Sequence, residues 1–372
     1  MVRDVNSGEY IMPALLTSKR MLAAGGLGAA VILTAVVAVA SRGADAANIG
    51  GTIVVASYGG IDDKNHKDLF FDPFTKATGV QFQLDPVAYD QVAKLHAQEA
   101  AGNVQYSLVE PARADAAVLG EQGLLEPLPQ DLVDKANKVL GPGKLIGNYA
   151  ISHAVSASSF VCLADFKPCP TNAKEFFDTT NFPGRRGMYA DGWLENIIYA
   201  LEADGVDPKA LFPLDLDRAF KKLDEIKPHI NVFWKTGDQV MQIVRDKEVD
   251  MTIMWDGRAN TLAADGTPIQ LSDDGAMMDS PTLAIPKGAP NKDAALAFIS
   301  WWIDQAEAQG EFMNREHYGE PNPDAFKYVK PEVANMISTA PGNFDKLVQP
   351  DLKWVEDHQQ EAVARWTDWL QN

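Results

Sequence analysis

The chain has 372 residues, enough for about two domains, and its 46% hydrophobic and 23% charged composition can build a buried core. With 51 acidic against 33 basic residues the formal net charge is −18, which repels phosphate backbones and anionic lipid and so excludes a nucleic-acid partner, while tolerating cationic ligands. Two cysteines are too few for a disulfide-built scaffold or a four-thiolate zinc site.

The N-terminus differs from the rest. Arg3, Lys19 and Arg20 precede an uncharged apolar run over 21–40, and Ala44-Asp45-Ala46 follows as a small-x-small pattern. This order predicts a secretory signal peptide over residues 1–46, cleaved after Ala46 or Ala47, and a periplasmic protein. The run is also long enough to span a bilayer, so an uncleaved N-terminal anchor is the alternative. No cysteine lies near the junction to carry a lipid. In an oxidising compartment Cys162 and Cys169 are expected to form one disulfide around a small loop, 163–168, with Asp165, Lys167 and Pro168 exposed.

Beyond the leader, the β-branched run 52–56 predicts a buried strand, broken by Gly59-Gly60. Asp62 is expected to cap the next helix, with Leu69, Phe70 and Phe74 inward and Gly79 as its stop. A strand over 80–84, a helix over 89–101, a short strand over 107–110 and a helix over 112–122 follow. The middle continues with a strand at 187–190, a helix at 194–203, an Asp215-capped helix ending before Pro228, a strand at 231–234, a helix at 238–247 and a strand at 249–255. Asp273-Asp274-Gly275 reads as a turn. A strand at 283–285, a helix at 294–303 carrying Trp301 and Trp302, and a C-terminal helix at 351–370 carrying Trp354, Trp366 and Trp369 complete the pass. Alternating strands and helices predict an α/β protein with mostly parallel sheets in two lobes and no flexible tether.

Catalytic signatures are missing: no G-x-S-x-G, no Walker loop and no H-E-x-x-H, and Gly25-Gly26-Leu27-Gly28 falls inside the leader. The six histidines show no metal-ligand spacing, so no metal site and no cofactor is expected. An exported hydrolase on a two-lobed fold is the alternative reading, and it would need a nucleophile–base pair that the sequence does not display. Polar and aromatic residues do gather after predicted strands, where open α/β sheets bind ligands. They are Ser57-Tyr58, the stretch 110–113, Asp191 to Glu195 with Trp193 between them, and Trp255-Asp256-Gly257-Arg258. Taken singly, each has a plain structural reading, such as Arg258 on a solvated helix face; together they outline a cleft.

Ser57-Tyr58-Gly59-Gly60, the stretches 74–80 and 123–128, Phe182-Pro183-Gly184, 248–257, 283–288 and 318–323 resemble, in order and spacing, the solute-binding proteins of ABC importers, and in particular the spermidine/putrescine-binding branch. The resemblance runs from about residue 51 to 370 and implies a type II periplasmic-binding-protein fold, a Venus flytrap with two crossover strands. Lobe 1 is expected at 47–157 and 281–325, and lobe 2 at 158–280 and 326–372. It further implies a monomer that captures a small amine and delivers it to a membrane permease. Carboxylates and aromatic faces hold ammonium groups in that branch; Glu195, Trp255 and Tyr318 match such positions, and Ser57 and Tyr58 sit in the first ligand-contacting loop. Two positions depart from the pattern. Asp279 stands two residues before Pro281, where the branch has its acid, and Arg113 stands where it has aromatic residues. Arg113 beside Glu195 suits a zwitterionic or amino-acid-derived amine as well as a polyamine.

Overall fold

The computed structural model describes residues 49–141, 144–340 and 342–372; the predicted leader lies outside the described residues. Eleven strands are found among them: β1 (Thr52–Ser57), β2 (Gln81–Pro86), β3 (Leu108–Val109), β4 (Leu145–Ile146), β5 (Ala150–Ser152), β6 (Ser156–Leu163), β7 (Arg186–Tyr189), β8 (Ile230–Trp234), β9 (Met251–Trp255), β10 (Ile269–Asp279) and β11 (Thr282–Ala284). They form a six-stranded sheet, β2-β1-β3-β11-β5-β4, and a five-stranded sheet, β10-β6-β9-β7-β8. Parallel pairs β1–β2, β1–β3, β7–β8 and β7–β9 come from strand–helix–strand units, as the alternating pattern predicts. The chain leaves the first sheet after β5 and returns at β11, so residues 153–155 and 280–281 are the two crossovers. Where they meet the second sheet, β6 and β10 pair antiparallel, Ser156 opposite Asp279.

Each sheet has its own apolar core. In the first, Phe70, Phe71 and Phe74 pack with Phe298 and Trp302 from the helix Lys292–Ile303. Asp62 does not cap the helix Gly60–His66: its N-terminus starts earlier, and Asp63 accepts the Gly59 N–H at 2.9 Å. Gly79 ends this helical run in the left-handed conformation, φ 78°, that favours glycine. In the second core Ile197, Ile198 and Leu201 of the helix Trp193–Ala203 meet Phe220 and Leu223 of the helix Leu216–Ile226, whose start Asp215 caps through the Arg218 N–H.

The C-terminal helix Leu352–Gln371 joins that second core through Trp354, Trp366 and Trp369, and the Trp366 indole N–H donates to the Ala190 carbonyl at 2.7 Å. A buried tryptophan side chain removes roughly 200 Å² from water, or about 5 kcal/mol before ordering costs, so burial docks this helix, and its exposed Lys353–Asp357 pair adds little. Cys162 and Cys169 are joined as expected, with Cα atoms 5.9 Å apart. Asp273-Asp274-Gly275 is not a turn between elements: it is the irregularity within β10, where pairing to β6 is interrupted between Ser272 and Met277 and Gly275 takes φ 73°.

Candidate functional site

A cavity of about 480 Å³ opens between the two sheets, a size suited to a small molecule. Its wall is built where strands end. Tyr58 and Asp62 come after β1, the segment 111–115 after β3, Asp191 to Glu195 after β7, and Trp255 and Arg258 after β9. Ala154, Ser156, Asp279 and Pro281 of the crossover region form its back, Tyr318 closes one side, and Gln359 and Val363 of the C-terminal helix close another.

Eight of the ten expected residues, Tyr58, Arg113, Asp191, Trp193, Glu195, Trp255, Asp279 and Tyr318, line this cavity. Ser57 and Asp256 do not. The Ser57 hydroxyl is turned inward and donates to Asp63 at 3.0 Å, bracing the first turn of the following helix. Asp256 is fully buried and accepts the N–H groups of Ala157 and Gly257 at 3.0 and 2.9 Å, so it stitches β6 to the start of the helix Asp256–Ala264.

On the acidic side, the Glu195 carboxylate is 4% exposed and accepts the Ser158 hydroxyl at 2.8 Å. Burial pushes its pKa up to about 8, with Ser158 opposing and Asp279 adding to the shift. Gly192 is required beside it: a Cβ there would stand 2.7 Å from Glu195 Oε1 and 2.6 Å from the Tyr189 ring. Asp279 is likewise raised by burial, against a hydrogen bond from the Ser280 N–H and the charge of Arg113. Burial also raises the exposed-edge Asp191. Positive charge placed beside such carboxyls favours their anionic form.

On the basic side, Arg113 is 8% exposed, and its side chain reaches only the Met278 sulfur, at 3.4 Å; no carboxylate of the described residues lies within ion-pair range. Arg258 belongs to a strand-end stretch that the sequence sets around a cleft, yet it is not among the expected binding residues. It is not on a solvated face: it lines the cavity with 15% of its side chain exposed, Nη1 3.7 Å from Glu316 and Nε without a hydrogen-bond partner. Burial works against its charge, but Tyr318, Glu316 and Asp62 outweigh it and hold the guanidinium above its ordinary pKa. The only sequence signal was its place one turn after a strand end.

The aromatic wall is rigid. Trp255 packs edge-on against Tyr189 and Trp234, ring centroids 5.3 and 5.2 Å away, while Tyr189 stacks on Trp234 at 4.5 Å. The Tyr58 hydroxyl donates to the Glu110 carbonyl at 2.9 Å, and the Tyr318 ring lies so close over Gly257 that no side chain could replace that hydrogen. The cavity therefore presents packed aromatic faces, the Glu195 and Asp279 carboxyls, the buried Arg113 and the partly buried Arg258 to one cleft.

A family model described as bacterial extracellular solute-binding protein matches residues 70–340. The chain is 28% identical over 326 residues to the gamma-aminobutyric acid-binding protein of Pseudomonas aeruginosa, covering 86% of this chain and 90% of that protein. It is 24% identical over 302 residues to the spermidine/putrescine-binding periplasmic protein of Escherichia coli, covering 77% and 80%. Among solved structures, a GABA receptor superimposes with a TM-score of 0.78 at 31% identity, over 86% of this chain and 97% of that one. Cleft, topology and comparisons converge: the chain belongs to the bacterial extracellular solute-binding protein family, the receptors of ABC importers, and is a transport protein and not an enzyme.

Proposed function

We propose that this protein is a periplasmic receptor for a small zwitterion, an amine that also carries a carboxylate, in the manner of an ω-amino acid, and that it hands this solute to its ABC permease as a monomer released from the N-terminal leader. The observation that carries the reading is the pairing of charges in one cavity: Arg258 and Arg113 on its wall together with Glu195 and Asp279. A diamine would gain from the acids and lose against the buried Arg113 and the partly buried Arg258. A zwitterion satisfies both, with its carboxylate on Arg258 beside Trp255 and its ammonium on Glu195 and Asp279. The likeness to GABA-binding proteins supports the same class.

A thermal-shift panel of ω-amino acids, α-amino acids, opine-like compounds and polyamines tests it. A ligand at 100 times its Kd raises stability by about 2.7 kcal/mol, an easily read shift. Stabilisation by ω-amino or other zwitterionic amines is expected. Stabilisation by polyamines alone would return the protein to the polyamine class. For the leader, intact mass of the exported protein is expected to lack the first 46 or 47 residues; membrane retention would favour the anchor.

A further inference from the structure

Behind the cavity lies a second polar group that the ligand reading does not use. His66 stands one helical turn beyond Asp62, and His153 immediately precedes Ala154; Asp62 and Ala154 both face the cavity. His66, His153 and Glu110, from the first helix, the first crossover and the end of β3, are 4%, 1% and 1% exposed. One ligand atom from each lies within 4.8 Å of the others, and His153 Nε2 is 3.9 Å from Glu110 Oε1. His66 Nε2, both ring nitrogens of His153 and Glu110 Oε2 have no hydrogen-bond partner. Orphaned buried polar atoms of this number are costly unless something occupies the space between them.

The surroundings are ordered as a ligand set is. The Nδ1 of His66 faces the Asp62 carbonyl at 3.1 Å and its carboxylate at 3.2 Å, which leaves Nε2 aimed at the cluster, the carboxylate–histidine pairing that orients metal ligands. Glu110 is clamped through its backbone: its N–H donates to Gln91 at 2.8 Å, and its carbonyl accepts from Gln91 and Tyr58. His153 is fixed to the second crossover by its N–H bond to the Pro281 carbonyl at 3.0 Å.

From this geometry we propose that His66, His153 and Glu110 form a binding site for one divalent zinc-class cation, reached from the cleft past Asp62 and Ala154. Two imidazoles and one carboxylate are a zinc donor set with a fourth position left for water. Ligand atoms around zinc sit roughly 3.3–3.5 Å apart, so the three side chains need to close by about 1 Å. The ion would tie the first helix and the end of β3 to the first crossover, a structural staple between the segments that join the two sheets. The sequence expectation of no metal site rested on spacing along the chain, which the crossover makes irrelevant.

The test uses the purified protein, stripped with chelator, exposed to Zn²⁺ or Co²⁺ and desalted. One ion per chain by elemental analysis, the visible d–d bands of bound Co²⁺, and a higher melting temperature are expected. His66→Gln and His153→Gln should each lose the ion, and Glu110→Gln should weaken its retention, whereas His96→Gln, on an exposed helix face, should keep it. A melt of each metal-free variant establishes that it folds, and the Co²⁺ spectrum of the unaltered chain stands on its own. No retained ion in the unaltered chain, or retention undiminished in the His66→Gln/His153→Gln double variant, overturns the proposal.

Discussion

Two strand-to-helix turns of the five-stranded sheet face the same cleft with opposite charge. After β7 the turn into the helix Trp193–Ala203 presents Asp191 and Glu195; after β9 the turn into Asp256–Ala264 presents Arg258, while its own acid, Asp256, is buried away from the cleft with one oxygen accepting both the Ala157 and Gly257 N–H groups. The topology of the two turns is alike, and the difference lies in where each carboxylate finds its hydrogen bonds. Glu195 has one neutral donor, Ser158, and is left with capacity for a cation. The comparison teaches that a bipolar cleft can be assembled from two copies of one structural device.

The largest break in that comparison is expected from Arg258→Ala. It removes the basic turn's charge and leaves the buried Glu316 without its ion-pair partner. Losing one partner of a buried charge pair costs about 2–5 kcal/mol, so titration calorimetry should show a loss of thirtyfold or more for an ω-amino acid, with a lower melting temperature of the free protein. Unchanged affinity would remove Arg258 from the site.

Glu195→Gln sharpens the acidic turn, because the amide keeps the shape and drops the charge. A loss of roughly tenfold to a hundredfold is expected, about 1.5–3 kcal/mol. The pH dependence has a definite sign. The free protein's carboxyl titrates at about 8, above its ordinary 4.5, so the fold favours the protonated form. Its contribution to stability is present below the ordinary value and declines as pH rises toward 8. An ammonium requires the ionised form, so affinity should climb with pH over the same window, by at most one decade per unit, and level off above about 8. In Glu195→Gln the climb should flatten; a profile identical to that of the unaltered protein would assign the titration elsewhere.

Arg113→Ala separates ligand classes with a smaller effect. For a zwitterion, a loss of about tenfold is expected, or ~1.4 kcal/mol. For a diamine the same change should be neutral or favourable, because it removes a like charge beside Asp279. The smallest effect on binding belongs to the Cys162→Ala/Cys169→Ala double variant, far from both turns in function: about 2–3 kcal/mol of stability lost from an opened short loop, with ligand affinity unchanged.

Local signals were read well and long-range ones were not. The β-branched run at β1, the Asp215 cap and the glycine stop at Gly79 are decided by a few neighbouring residues, and the structure keeps them. The cleft's strand-end residues were legible because parallel sheets put binding loops at strand ends, which placed Tyr58, Glu195 and Trp255 in advance. Ser57 and Asp256 share that position, but their side chains point to partners close in space, Asp63 and the backbone of Ala157, that spacing alone does not reveal. Asp273-Asp274-Gly275 has turn composition and does interrupt pairing with β6, yet the pairing resumes at Met277, so the strand continues through it instead of reversing. Arg258 and the His66–His153 pair depend likewise on segments distant in the chain, Glu316 for Arg258 and the first crossover for His66.

The central claim, that the cleft is bipolar, is tested most directly by calorimetric titration of one protein sample with three four-carbon ligands: 4-aminobutyrate, 1,4-diaminobutane and butyrate. They share a methylene chain and differ in their end charges. In a bipolar cleft 4-aminobutyrate binds at least tenfold more tightly than either of the others; equal or tighter binding of the diamine would show that the cleft is not bipolar.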